Sequence, residues 1–219
     1  MRILGVNCLN HDAAISVIED GEILFAAQSE RYSRVKNDSL LNDGLVSEAL
    51  SYGEPDLVAY YEKPLLKKTR QLYAGQWKEA FTLENMPNRH LNQWFDKYKI
   101  HYVDHHESHA AAGYYTSPYD EAVVVVMDGI GEWDVFTIWH AKDNKLKKIH
   151  SVKYPHSLGL FYSAMTQRLN LKPCEEEYIL MGASAVKKHK IENYNIVKEL
   201  WDNGANFHTG IDINFDKFE

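Results

Sequence analysis

Arg2-Ile3-Leu4-Gly5-Val6-Asn7-Cys8-Leu9 opens a set of three strand-like runs, continued by Ala13 to Glu19 and Glu22 to Gln28. Apolar side chains at Ile3, Leu4, Val6 and Leu9 mark the first run as a buried strand. Asp20-Gly21 separates the second run from the third. An Asp-Gly pair between apolar runs signals a hairpin, because both central residues of the tight turn need positive φ. Further along, the pattern predicts a helix from Asp43 to Tyr52, with Leu45, Val46, Ala49 and Leu50 on one face and Gly53 as its stop. A strand is expected at Asp56 to Glu62, two or three helices within Pro64 to Lys97, a short strand at Ile100 to Val103, and a helix beginning near His105.

The same opening recurs from Glu121. Ala122-Val123-Val124-Val125-Val126-Met127 is a continuous β-branched run, which reads as a strand covered on both faces. Trp133 to Ala141 and Lys145 to Lys153 are its expected hairpin partners, turned at Asp143-Asn144. Helical segments are expected at Leu158 to Leu169, Glu175 to Val186 and Ile191 to Asn203, the last with Ile191, Tyr194, Val197, Leu200 and Trp201 on one stripe. Three antiparallel strands feeding a helix thus occur twice, giving an α/β chain with a first lobe over residues 1–118 and a second beginning at 119 and running to 219. In each copy the first strand ends in a polar turn, Asn10-His11-Asp12 and Asp128-Gly129-Ile130-Gly131-Glu132. Two such turns facing one another across a cleft would offer backbone N–H groups and carboxylates to a nucleotide.

Composition narrows the classes. With 45% hydrophobic and 25% charged residues, the chain has the make-up of a globular protein. The longest apolar run is Ala122 to Met127, far short of the roughly 20 residues a membrane helix needs. Two cysteines make no disulfide framework and fit a reducing cytoplasm. Cys174 is expected to be a small buried apolar side chain. A net charge of -7 argues against a broad nucleic-acid surface while leaving room for a local basic pocket.

Eleven histidines are many for 219 residues, and their placement is informative. In Asp104-His105-His106-Glu107-Ser108-His109, the two histidines four apart share one face of a helix, which suits a common metal ion. Two partly exposed helix histidines are the plainer alternative. Ala110 to Ala112 with Gly113 would let another element pack close. Asp128 ends the valine run, and Gly129 and Gly131 after it would let the backbone approach a phosphate or metal; an ordinary Asp-Gly turn is the alternative. His105, His109 and Asp128 together form a two-histidine, one-carboxylate set, which favours iron(II) and admits zinc or manganese. His11-Asp12 forms a further polar turn. Arg31, Arg34 and Lys36 leave a strand edge, either to grip a phosphate or as a solvated charged loop. Ser157 can cap the helix after it and create an anion site there. Glu175 to Glu177, ahead of Met181-Gly182, also fits a helix with an acidic first turn.

Taken in order, these stretches resemble the N-terminal part of the carbamoyltransferases of the NodU and antibiotic O-carbamoyltransferase type. The matching segments are Ile3 to Val6 with His11 to Ala14, Glu30 to Lys36, Tyr61 to Leu66, Val103 to Ala110, Val126 to Trp133, Pro155 to Ala164 and Glu177 to Gly182. The resemblance implies a ribonuclease-H-like (actin-like ATPase) fold and carbamoyl transfer from carbamoyl-adenylate, made from carbamoyl phosphate and ATP, to a hydroxyl of a small-molecule acceptor. It implies His105, His109 and Asp128 as metal ligands. His11, Asp12 and Lys36 would line the adenylate and acceptor site, and Gly129, Gly131, Glu132, Ser157 and Gly182 would contact the nucleotide. The sequence departs from the family at Asn37, where histidine is usual, and at Glu176 and Ile179, where glycine and lysine are usual. Measured against the family, the second lobe is partial, so a second chain carrying the remainder and a YrdC-like domain is an expected partner. A tRNA threonylcarbamoyl-transfer-like enzyme and a non-catalytic metal- or nucleotide-binding piece are the competing functions; Pro155 to Ala164 favours small-molecule transfer.

Overall fold

The computed structural model describes residues 1–10 and 12–185. His11, the expected helix at Ile191 to Asn203 and Val186 at the end of the preceding one lie outside that range. The chain divides into two compact units, Met1–Ser108 and a second that begins at His109.

The first unit contains β1 (Arg2–Asn7), β2 (Ala14–Glu19), β3 (Glu22–Gln28), α1 (Glu30–Ser33), α2 (Asp43–Ser51), β4 (Leu57–Tyr60), α3 (Pro64–Tyr73), α4 (Trp77–Phe81), α5 (Pro87–Phe95) and β5 (Ile100–Tyr102). Its sheet has the order β3-β2-β1-β4-β5. The β1/β2 and β2/β3 pairs are antiparallel, whereas β1/β4 and β4/β5 are parallel. That order and those directions are the ribonuclease-H-like arrangement. The hairpin turns where the Asp-Gly pair places it: Glu19 pairs with Glu22, and Asp20 and Gly21 take φ of 49° and 92°. Leu4 and Val6 of β1, Ile15 and Val17 of β2, and Val58 and Tyr60 of β4 form the core with Leu45, Val46 and Ala49 of α2 and Leu91 and Phe95 of α5. Alternate strand residues therefore face the helices, as a period of two requires. The side chain of Asn42 accepts the Leu45 N–H and caps α2.

From His105 the chain forms α6 (His105–Tyr115), followed by β6 (Glu121–Met127), β7 (Asp134–Lys142), β8 (Lys145–Lys153), α7 (Leu158–Arg168) and α8 (Glu177–Ser184). The strands make an antiparallel sheet ordered β6-β7-β8, turned at Asp143-Asn144 between Lys142 and Lys145. Val126 and Trp139 pack on Ala110 of α6, and the Trp139 indole N–H donates to Thr137 Oγ1 at 2.8 Å.

Three expectations need correction. Among the described residues β6 is covered on one face only: Val123, Val125 and Met127 are 66%, 55% and 55% exposed while Val126 is buried. The valine run reflects the fit of β-branched side chains to a pleated strand at one end of this three-stranded sheet, and only alternate residues meet α6. Of the small residues in α6, Ala110 makes the close contact, whereas a Cβ at Gly113 would meet nothing within 4 Å. Cys174 is exposed, not buried; it adopts a left-handed φ of 63° and its N–H donates to Glu177 Oε1.

Cys8, by contrast, is fully buried, and burial pushes its thiol up to about 12. Thiolate, not thiol, attacks disulfide reagents. Titration of the folded chain with an aromatic disulfide is therefore expected to show one fast thiol, lost in Cys174→Ser. A fast thiol that survives that substitution would place Cys8 at the surface.

Candidate metal centre

His105 and His109 of α6 stand one helical turn apart, and Asp128 follows the last residue of β6. One ligand atom from each of His105, His109 and Asp128 lies within 4.8 Å of the other two. His105 is buried, Asp128 half-buried and His109 exposed.

Local contacts fix the first turn of α6. β4 and β5 run parallel, with Tyr60 opposite Tyr102, so the residues leaving both strands emerge side by side. The Val103 N–H donates to Tyr60 O at 2.9 Å. Ser108 Oγ lies 3.0 Å from Tyr61 O and 3.1 Å from Asp104 O. Lys63 pairs with Asp104. The Tyr61 ring meets the His105 ring edge-on, centroids 5.3 Å apart at 62°. Burial, reinforced by Glu62, holds the Tyr61 phenol above its usual range, so Tyr61 stays neutral beside the imidazole.

Asp128 is held from the other side. Its N–H donates to Val135 O, and its Oδ1 accepts the Gly129 N–H at 2.7 Å. The Gly131 N–H donates to Asp134 O. The turn was expected to offer such N–H groups to an anion; those of Gly129 and Gly131 are engaged within it. Ser157 caps α7, its Oγ accepting the Leu160 N–H at 3.0 Å, and donates to Gly129 O at 2.6 Å. It is fully buried, so its hydroxyl ties the start of α7 to the Asp128 turn. Glu132 is buried as well. Gly182 lies on the exposed side of α8, where a Cβ would meet nothing within 4 Å.

In the first unit, Asp12 has a φ of 50°, and Asn7 Nδ2 donates to its carbonyl at 3.2 Å. The Leu9 and Ala13 N–H groups donate to Ser39 O and Asp38 O, both at 2.7 Å. Those bonds stitch Leu9 and Ala13 to the segment that follows Lys36. Lys36 and Arg34 are exposed. Glu176, the departure from the family pattern, accepts the Lys172 N–H.

The three grouped residues fit a divalent cation. Two imidazoles and a carboxylate are a known ligand set for iron(II), zinc and manganese. Ligands bonded at about 2.0–2.2 Å to one ion stand roughly 3–4 Å from each other, so a spread of no more than 4.8 Å closes with small side-chain adjustments.

Residues 59–218 match the family described as "Carbamoyltransferase N-terminus". The chain belongs to the carbamoyltransferase N-terminal family. An uncharacterised protein of Synechocystis is 35% identical over 208 residues, covering 83% of this chain and 34% of that protein. The nodulation protein NolNO of Sinorhizobium fredii is 24% identical over 219 residues, covering 91% of this chain and 31% of its own length. This carbamoyltransferase N-terminal chain thus spans about a third of those relatives' length. Among solved structures, the Aquifex aeolicus PPX-GPPA enzyme aligns with 86% of this chain and 64% of its own at 14% identity and a TM-score of 0.39; the fold rests on the sheet order, not on that likeness. No helix among the described residues of the family member is long and apolar enough to cross a membrane.

Sequence reasoning found the three grouped residues. It passed over Glu62, Ser108 and Gly159 as individual contributors, although each lies within a stretch that carries the family resemblance.

Proposed function

We propose that the chain is the acyl-transfer portion of an O-carbamoyltransferase, holding a divalent cation on His105, His109 and Asp128 and receiving carbamoyl-adenylate beside it. Family membership and the grouping of those three side chains are the observations that support this. When bound, the cation supplies Lewis-acid charge neutralisation at the phosphate of the adenylate, without redox chemistry.

The chain's own residues account for the rest. Lys36, at the end of a basic stretch, draws the phosphate by charge. The acceptor hydroxyl gives its proton to His11 or Asp12. The hydroxyl oxygen then bonds to the carbamoyl carbon, the bond from that carbon to the phosphate oxygen breaks, and AMP departs as a stable anion. The small-residue turn at Gly129 and Gly131 leaves room for that anion through the absence of side chains. The remaining family length, with the adenylate-forming step, is required as well, whether it belongs to the same polypeptide or to another.

The test supplies prepared carbamoyl-adenylate, a divalent metal and a panel of polyhydroxyl acceptors, and measures AMP release and carbamoyl ester formation. The chain is assayed alone and with a polypeptide covering the rest of the family's length. The expected result is acceptor-dependent ester formation with that polypeptide present, lost in Asp12→Asn and in His109→Ala. Metal binding without ester formation under every condition would leave a binding piece and reject the transferase.

A further inference from the structure

We propose that Glu62 is a positioning residue for His105, orienting its ring so that Nε2 is the nitrogen presented to the cation; this rests on the metal reading above. Glu62 follows β4 by two residues and is almost fully buried at 5% exposure, unusual for a carboxylate. Its Oε1 accepts from Lys67 Nζ at 2.8 Å. Its Oε2 stands 4.0 Å from His105 Nδ1, with both side chains under a tenth exposed.

At 4.0 Å that contact is too long for a direct hydrogen bond. Coulombic bias nevertheless acts at this range, and acts more strongly away from water. A carboxylate facing Nδ1 favours the tautomer that carries its hydrogen on Nδ1, because a proton there meets negative charge and a lone pair there is repelled. Nε2 is then the basic nitrogen, on the opposite side of the ring. Metal-bound histidines recurrently present their second nitrogen to a carboxylate or carbonyl, which fixes ring and tautomer together. The Tyr61 ring against His105 restricts the ring plane, and the ties of residues 60–63 to the start of α6 hold the carboxylate in register with the imidazole. Lys67 holds the other oxygen, so Glu62 cannot swing away to solvate itself.

The experiment uses the full chain, metal-free and titrated with Co²⁺, with Glu62→Gln as the shape-preserving variant and Glu62→Asp as the one that keeps the charge. Long-range nitrogen NMR of the metal-free protein reports the His105 tautomer; calorimetry reports Co²⁺ affinity; thermal melting of the metal-free protein reports folding. In the wild type the Nδ1–H tautomer is expected. Glu62→Gln should lose that preference and bind Co²⁺ about 10- to 100-fold more weakly, with Glu62→Asp falling between. A Glu62 that only braces the fold through Lys67 would shift the melting temperature while tautomer and Co²⁺ affinity stayed as in the wild type, and that result overturns the proposal. Should Glu62→Gln fail to fold, the same two readouts on Glu62→Asp decide it: both unchanged overturns the assignment. The tautomer is read without metal, so a wild-type chain that ignores Co²⁺ would reject the metal reading and leave the action of Glu62 on His105 separately judged.

Discussion

Replacing His109 by alanine is expected to weaken divalent metal binding at least about 100-fold while leaving the fold in place. The two halves of that result have separate causes. His109 is exposed on α6, where alanine is a better helix former than histidine by a few tenths of a kcal/mol. At the cation, removing one of three protein ligands takes away a bond that water replaces poorly, and 100-fold corresponds to about 2.7 kcal/mol. His105→Ala should lose metal to the same degree but also lower the melting temperature, because that ring is 7% exposed and packs against Tyr61. Metal content after dialysis, together with melting of metal-free protein, separates the two variants. A His109→Ala chain that retains the wild-type metal load would remove His109 from the ligand set.

The grouping of His105, His109 and Asp128 was legible before any coordinates because two of the residues sit on one helix, where a spacing of four residues fixes the geometry, and the third closes a strong strand signal. Both hairpins were legible for a similar reason: Asp20-Gly21 and Asp143-Asn144 are turn chemistry of short range. Burial was read less well. Valine in β6 and the sulfur of Cys174 suggest an interior on sequence alone, yet a strand gains from β-branched residues whether or not its outer face is covered, and Cys174 sits in a left-handed turn that a carboxylate stabilises. Glu62 shares no periodicity with His105. Only the parallel pairing of β4 with β5 brings them together, and pairing across the sheet is information that no local window contains. The same holds for the start of α7, whose apposition to the Asp128 turn depends on the path of the chain through β7 and β8.

That apposition sets the second large effect. Gly159 lies in the first turn of α7, and a Cβ there would stand 2.8 Å from Asp128 O and from Gly129 Cα, and 2.9 Å from Gly129 N. All three are backbone atoms, so no side chain can rotate out of the way. Either α7 or the turn must move. Gly159→Ala is expected to destabilise the chain by about 2 kcal/mol, the usual size of overpacking a filled site, despite the gain in helix propensity. Because the atoms displaced are those that carry the Asp128 carboxylate, Co²⁺ affinity should fall as well, by 10-fold or more, since a ligand must be held to about 0.5 Å to serve a metal. Two comparisons isolate the cause. Ser157→Ala removes the cap and the hydrogen bond to Gly129 O without adding bulk, so it should cost about 1 kcal/mol of stability and little affinity. Gly182→Ala, in α8 with open space around the added methyl, should raise stability by up to about 1 kcal/mol. If Gly159→Ala instead behaved like Gly182→Ala, with melting temperature and Co²⁺ affinity both held, α7 would not be what sets the position of Asp128, and the carboxylate would have to be placed by the hydrogen bonds of its own turn.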